Sequence, residues 1–307
     1  MPLRLSLGLA LFVGSLGAGW WLRRIGRLSE LRASELVRLL VKWLSPISLC
    51  SIFWGMNLRS WEPWLLPFLG ALLAGATIPP SLFYARKAGL TRPQTGSFLT
   101  CAFFSNLGYM GAFAAYAMYG EVAYGLCMLY MVFFTPCFYT WGFWTAARYG
   151  TPVGPTAMSG AFGDELRLYP FLSMAAGAAL SLGGVPRPGL FETVNQLLIP
   201  VTTALYLAAI GSQLRFESPR PHLRPCLAMC AIKFVYSPLL AWIALSVLDI
   251  RGMAREVVLL LSLTPVGVSP LVLPLLFGLD RPLANALWLV TTVVSVPLFL
   301  FIVPWVA

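Results

Sequence analysis

Two apolar stretches of this chain carry side chains able to hold a ligand without a buried charge. They are SNLGYMGAFAAYAMYG at 105–120 and TPVGVSPLVLPLLFG at 264–278. The first offers Ser105, Asn106, Gly108 and Gly111; the second offers Thr264, Pro265, Val266, Gly267, Ser269 and Pro270. Both mix helix breakers with small hydroxyl or amide groups. A proline in a helix interior removes a donor and clashes with the preceding turn, at about 3 kcal/mol or more. Backbone freed in this way cannot face lipid, so it must be buried in protein or line a wet cavity. A helix that restarts there presents unpaired N–H groups and about half a positive charge. Pro270 suits such a restart, because a first turn has no use for the missing donor. The chemistry expected is the binding of a carboxylate by backbone dipoles and neutral side chains.

Lys233, in CLAMCAIKFVYSPLLAW, adds a charge to that picture. It lies about ten residues into its apolar stretch, near 15 Å along the axis. A lysine at such a depth is unfavourable by about 2.5–3.5 kcal/mol, so it is expected at or beside the ligand site. The bland alternative is a lysine that caps carbonyls freed at a break. Tyr236, one turn on, is expected to reach the same cavity; Tyr130, Thr135 and Tyr139 are further candidates. Lys42 lies nearer an end of its stretch and is expected to snorkel to the interface. All eleven Asp and Glu fall in loops or at helix ends, which argues against a proton relay built on buried carboxylates.

The rest of the composition narrows the class. The chain has 307 residues, 59% hydrophobic and 10% charged, which predicts an all-α polytopic membrane protein. Six cysteines sit in apolar segments as small hydrophobes, and His222 is the only histidine. Cys226 and Cys230 share a helix face, but nothing nearby completes a metal site. No cofactor and no metal are expected, and with one histidine neither zinc chemistry nor a Ser-His-Asp arrangement is. The net charge of +10 comes from arginines scattered between apolar runs rather than from a basic stripe, so no nucleic-acid partner is expected.

Charge and Gly/Pro clusters divide the chain into ten candidate spans: 3–22, 36–55, 62–85, 94–119, 121–147, 168–185, 194–213, 223–248, 255–278 and 283–305. The first of these, ending in Trp20, Trp21, Arg23 and Arg24, reads as a spanning helix rather than a cleaved signal. With Arg4, Arg38, Arg224 and Arg255, at the ends of their spans, counted with the adjoining loops, 14 Lys and Arg fall in the loops after odd-numbered helices and 5 in the other set. That bias places both termini outside the cytoplasm.

The two ligand-competent stretches also match each other. Overlaying them puts Gly108 on Gly267, with a second breaker three residues on in both, Gly111 and Pro270. FFTPCF at 133–138 then answers VVSVPLF at 293–299, and Pro46 answers Pro200. Five helices per half is odd, so the halves would be inverted repeats: 1–148, a short cytoplasmic linker at 149–167, and 168–307. Matching interruptions in two halves point to a transporter binding site near the bilayer midplane.

At these residues the chain resembles the auxin efflux carrier family, within the wider group of bile-acid, arsenite and riboflavin transporter-like proteins. FFSNLGYMGAFAAYAMYGEVAYGLCMLY resembles that family's fourth-helix crossover. ALYLAAIGSQLR, IKFVYSPLL and LTPVGVSPLVLPLLFGLDRPLANALWLVTTVVS resemble its later helices, in order. The resemblance implies two inverted five-helix repeats with crossed, broken helices four and nine. Helices one, two, six and seven would form a scaffold through which a homodimer could assemble. Helices three to five and eight to ten would form the transport domain. It further implies that Asn106 and the backbone around Pro265–Pro270 bind a substrate carboxylate, such as that of malate, malonate or an auxin-like acid.

The expectation is therefore a secondary carrier of a small organic anion, working by alternating access. It is expected to be embedded in lipid, in a bacterial inner (plasma) membrane, and to be no enzyme. The rivals are a sodium-coupled symporter of the bile-acid type, an anion channel, and an intramembrane hydrolase built on Ser237 beside Lys233.

Overall fold

A computed structural model describes residues 2–151, 168–213 and 219–301. Most of the expected linker at 149–167 lies outside the described residues, as does the end of the tenth stretch. The described chain is helical, and its one β feature is an isolated bridge.

The helices, in order, are α1 (Pro2–Arg24), α2 (Glu30–Gly55), α3 (Glu62–Lys87), α4 (Arg92–Phe103), α5 (107–119) and α6 (Glu121–Tyr149). They continue with α7 (Leu168–Leu182), α8 (Leu190–Gly211), α9 (Arg220–Val247), α10 (Gly252–Ser262), α11 (269–277) and α12 (Arg281–Phe301). Six of them, α2, α3, α6, α8, α9 and α12, are long and apolar enough to cross a membrane. This is an all-α membrane protein. The fourth and ninth apolar stretches miss that length because each is cut in two, into α4 with α5 and α10 with α11.

Local chemistry sets these boundaries. The Gln94 side chain accepts from the Thr91 N–H at 3.1 Å, and Pro93 occupies the first turn of α4. Gly278, at φ 60°, ends α11 in a left-handed turn. Asp280 then caps α12 by accepting from the Leu283 N–H at 2.9 Å.

The helices gather into two compact units. The first holds the described residues of Met1–Trp64, Gly108–Leu129 and Asp164–Leu214. Small residues let its backbones touch: Gly19 lies against the Ala208 carbonyl, Gly211 against that of Leu16, and Gly177 against that of Cys50. Near one end, Arg187 pairs with Glu121, and the Asn195 amide donates to Glu121 at 3.1 Å and to Ser51 Oγ at 2.9 Å. The second unit holds the described residues of Leu65–Leu107, Tyr130–Gly163 and Arg215–Ala307. Each unit thus draws on both sequence halves. Residues 108–129, which the resemblance assigns to the transport domain, pack within the first unit.

Candidate functional site

Both interruptions lie in the second unit. α4 stops at Phe103, residues 104–106 run extended, and the chain resumes as a wide π-helical turn over Leu107–Ala112. α10 stops at Ser262, and residues 263–268 bridge the gap before a 3₁₀ turn at Ser269–Val272. The second gap is the longer because Pro265 can neither donate to a helix nor let its predecessor stay helical.

The two extended pieces satisfy each other. Ser105 and Val266 form an antiparallel bridge. The Asn106 N–H donates to the Pro265 carbonyl at 2.8 Å, and the Gly267 N–H donates to the Phe104 carbonyl at 2.9 Å. A Cβ on Gly267 would stand 2.9 Å from the Ser105 carbonyl oxygen, so only glycine permits this approach. Backbone groups that no helix can pair therefore find partners in one another.

Neighbouring helices brace the crossing. Thr291 on α12 accepts from the Val266 N–H at 3.2 Å while giving its own hydrogen to the Leu287 carbonyl at 2.7 Å. Lys233, 1% exposed, is the one buried charged side chain among the described residues. Its ammonium donates to the Ala102 carbonyl at 2.6 Å and to Ser105 Oγ at 2.8 Å. A cation at the last turn of α4 is where a helix dipole favours one. The wide turn at Ile232–Tyr236 shifts the face that α9 presents there and aims the side chain inward.

Ser105, Asn106, Pro265, Val266, Gly267 and Lys233 therefore come together around one bridge. Thr264 is buried beside them, with its hydroxyl donating to Leu261 at 2.6 Å. Ser269 and Pro270 open α11, and Pro270 sits in its first turn. Gly108 and Gly111 lie in the wide turn that opens α5, Gly111 buried, within the first compact unit. Tyr236 is engaged elsewhere: its hydroxyl donates at 3.0 Å to Ala76, where α3 loosens ahead of Pro79–Pro80. Its neighbour Ser237 lines the nearby cavity instead, as does Tyr130. Lys42 is exposed and lies over the Trp43 ring at 5.4 Å.

Three buried polar atoms of this unit have no partner among the described residues: Asn106 Oδ1, Trp288 Nε1 and Thr292 Oγ1. Leaving such a group unpaired costs about 1–3 kcal/mol, which is the signature of a ligand or water site. Sequence reasoning missed Trp288, Thr291 and Thr292. The Thr-Thr pair inside an apolar run was the available signal. Among the described residues no three His, Cys, Asp or Glu side chains gather as a metal site would need.

The geometry defines a class: a helical membrane protein whose two broken helices meet at a backbone bridge, braced by a buried lysine. No family model matches the chain, and no curated protein matches it.

Proposed function

We propose that this chain is a secondary transporter of a small organic anion, with the carboxylate bound at the paired interruptions and carried by alternating access. One observation carries the reading. Asn106 is 3% exposed, sits beside the bridge, and keeps a buried amide oxygen without a partner among the described residues. That oxygen is an acceptor, so it suits a substrate hydroxyl, a cation or a bound water, while the NH₂ of the same side chain is the donor that a carboxylate would need. α5 and α11 begin beside the bridge, so unpaired N–H groups are available to a negative charge. In this reading the chain has ten spans in two inverted repeats, both termini outside the cytoplasm, and a scaffold that can dimerise. The substrate is a mono- or dicarboxylate, with an auxin-like acid among the candidates.

The same side chains speak against hydrolysis. Ser105 and Lys233 stand like a nucleophile–base pair, and Ser237 does not join them, because its hydroxyl donates to Ile232 at 2.9 Å.

Proteoliposomes containing the purified chain should take up a labelled carboxylate with saturable kinetics. Asn106→Ala should lower that flux by about tenfold, the equivalent of one hydrogen bond to a charged group. Unsaturable flux with single-channel currents would identify a channel, and flux unchanged by the substitution would remove this site.

A further inference from the structure

One end of the second unit is strongly basic. The Arg92 guanidinium donates to the Arg148 carbonyl, and the Asp280 N–H donates to the Pro93 carbonyl at 3.5 Å, so α4 and α12 begin where α6 ends. Arg86 and Lys87 close α3 just before α4, and Arg281 opens α12. Among the described residues, Asp280 is the one acid beside them, and its carboxylate is spent on the Leu283 N–H. At the opposite end, where α9 passes into α10, Asp249 and Glu256 match Arg251 and Arg255.

A groove of about 530 Å³ opens in the basic end, between the turn after α3 and the start of α9. Tyr84 and Ala88 line one side of it, Arg220 and Arg224 the other. Among the described residues neither guanidinium meets a carboxylate. The helix adds to the imbalance. Its first turns hold Arg220, His222 and Arg224, with no acid and no side-chain cap, at the end where the dipole is already positive. Cations are unfavourable there unless an anion joins them. The space exceeds what a bare ion needs and falls within the roughly 300–1,000 Å³ of an organic-ligand site. The rest of the lining is apolar and includes Leu90 and Leu223. Leu223 and Leu227, one turn on along the same face of α9, are 51% and 68% exposed. A soluble anion has no use for such a stripe, whereas acyl chains do.

We propose that this groove is a docking site for an anionic phospholipid, with the phosphate between Arg220 and Arg224 and the acyl chains along Leu223 and Leu227. Guanidinium forks hold phosphate through paired hydrogen bonds, and basic pockets between membrane helices take such headgroups. The inference needs the membrane assignment but not the carrier reading, because its test reads lipid binding rather than flux.

The test is native mass spectrometry of the purified full-length protein in detergent, titrated with phosphatidylglycerol, phosphatidylcholine or glycerol 3-phosphate. Phosphatidylglycerol should fill one saturable site about thirtyfold more tightly than phosphatidylcholine, the worth of two arginines at a charged headgroup. Arg220→Gln combined with Arg224→Gln should abolish that preference. Arg86→Gln combined with Arg148→Gln removes the same charge from the same end, outside the groove, and should leave the preference intact. All four arginines are exposed, so neither double variant disturbs a packed interior. Equal binding of the two lipids would overturn the proposal. So would equal loss in the two double variants, which is how a diffuse basic surface behaves. Glycerol 3-phosphate competing on equal terms with the lipid would make this a site for a soluble phosphate and overturn it too.

Discussion

At the scale of single residues, the crossing rests on small differences in size and hydrogen bonding. Gly267 is the clearest case. Its missing side chain lets the Ser105 carbonyl approach, and the Cβ of an alanine would sit 2.9 Å from that oxygen. Gly267→Ala should therefore destabilise the purified protein by about 1–3 kcal/mol, read as a lowered unfolding temperature at unchanged secondary structure. Its N–H donates to Phe104, so the strain falls on the bridge and substrate affinity should drop as well. Both Asn106 and Lys233 stand out from the sequence as polar side chains in apolar surroundings. Their partners do not, since a backbone carbonyl such as that of Ala102 or Pro265 has no signature in residue type.

At the scale of elements, each interruption depends on a helix distant in sequence. Thr291 of α12 supports Val266, and Tyr236 of α9 supports the loosened turn of α3 at Ala76. Thr291→Val keeps the shape but leaves the Val266 N–H unpaired in a dry interior, at about 1–3 kcal/mol. Amide hydrogen exchange of residues 263–268 should accelerate selectively in that variant; equal protection in both proteins would show that the hydroxyl is dispensable. Tyr236→Phe should cost less, about 1 kcal/mol, because Ala76 keeps a neighbouring turn through which to reach other donors. The second break was legible from its prolines; the first falls on Phe104–Asn106, just ahead of the Gly108 and Gly111 that stand out in the sequence. Their unequal lengths were not legible, because the point where a helix resumes depends on which backbone groups find a partner across the gap.

At the scale of the whole molecule, the alternation of Lys and Arg between loops yields a prediction about topology. Peptide tags at the two termini should be protected or cleaved together by an external protease in intact cells; opposite behaviour would refute the even number of spans. The class of protein was readable from composition, because the preference of apolar side chains for lipid is a sum over residues and needs no coordinates. The spans of the continuous helices were readable for the same reason, to within a few residues. Only the tertiary structure decided how the chain divides. Residues 108–129 leave their sequence neighbours for the first unit, since a broken helix is free to pack its two parts against different partners. It also decided what the polar side chains do: Lys233 on a helix carboxyl end, Tyr236 on α3, Asn106 with an oxygen to spare. Residue types announce a buried polar group, but the identity of its partner is a property of chain segments about 130 or more positions apart, brought within hydrogen-bond reach by packing.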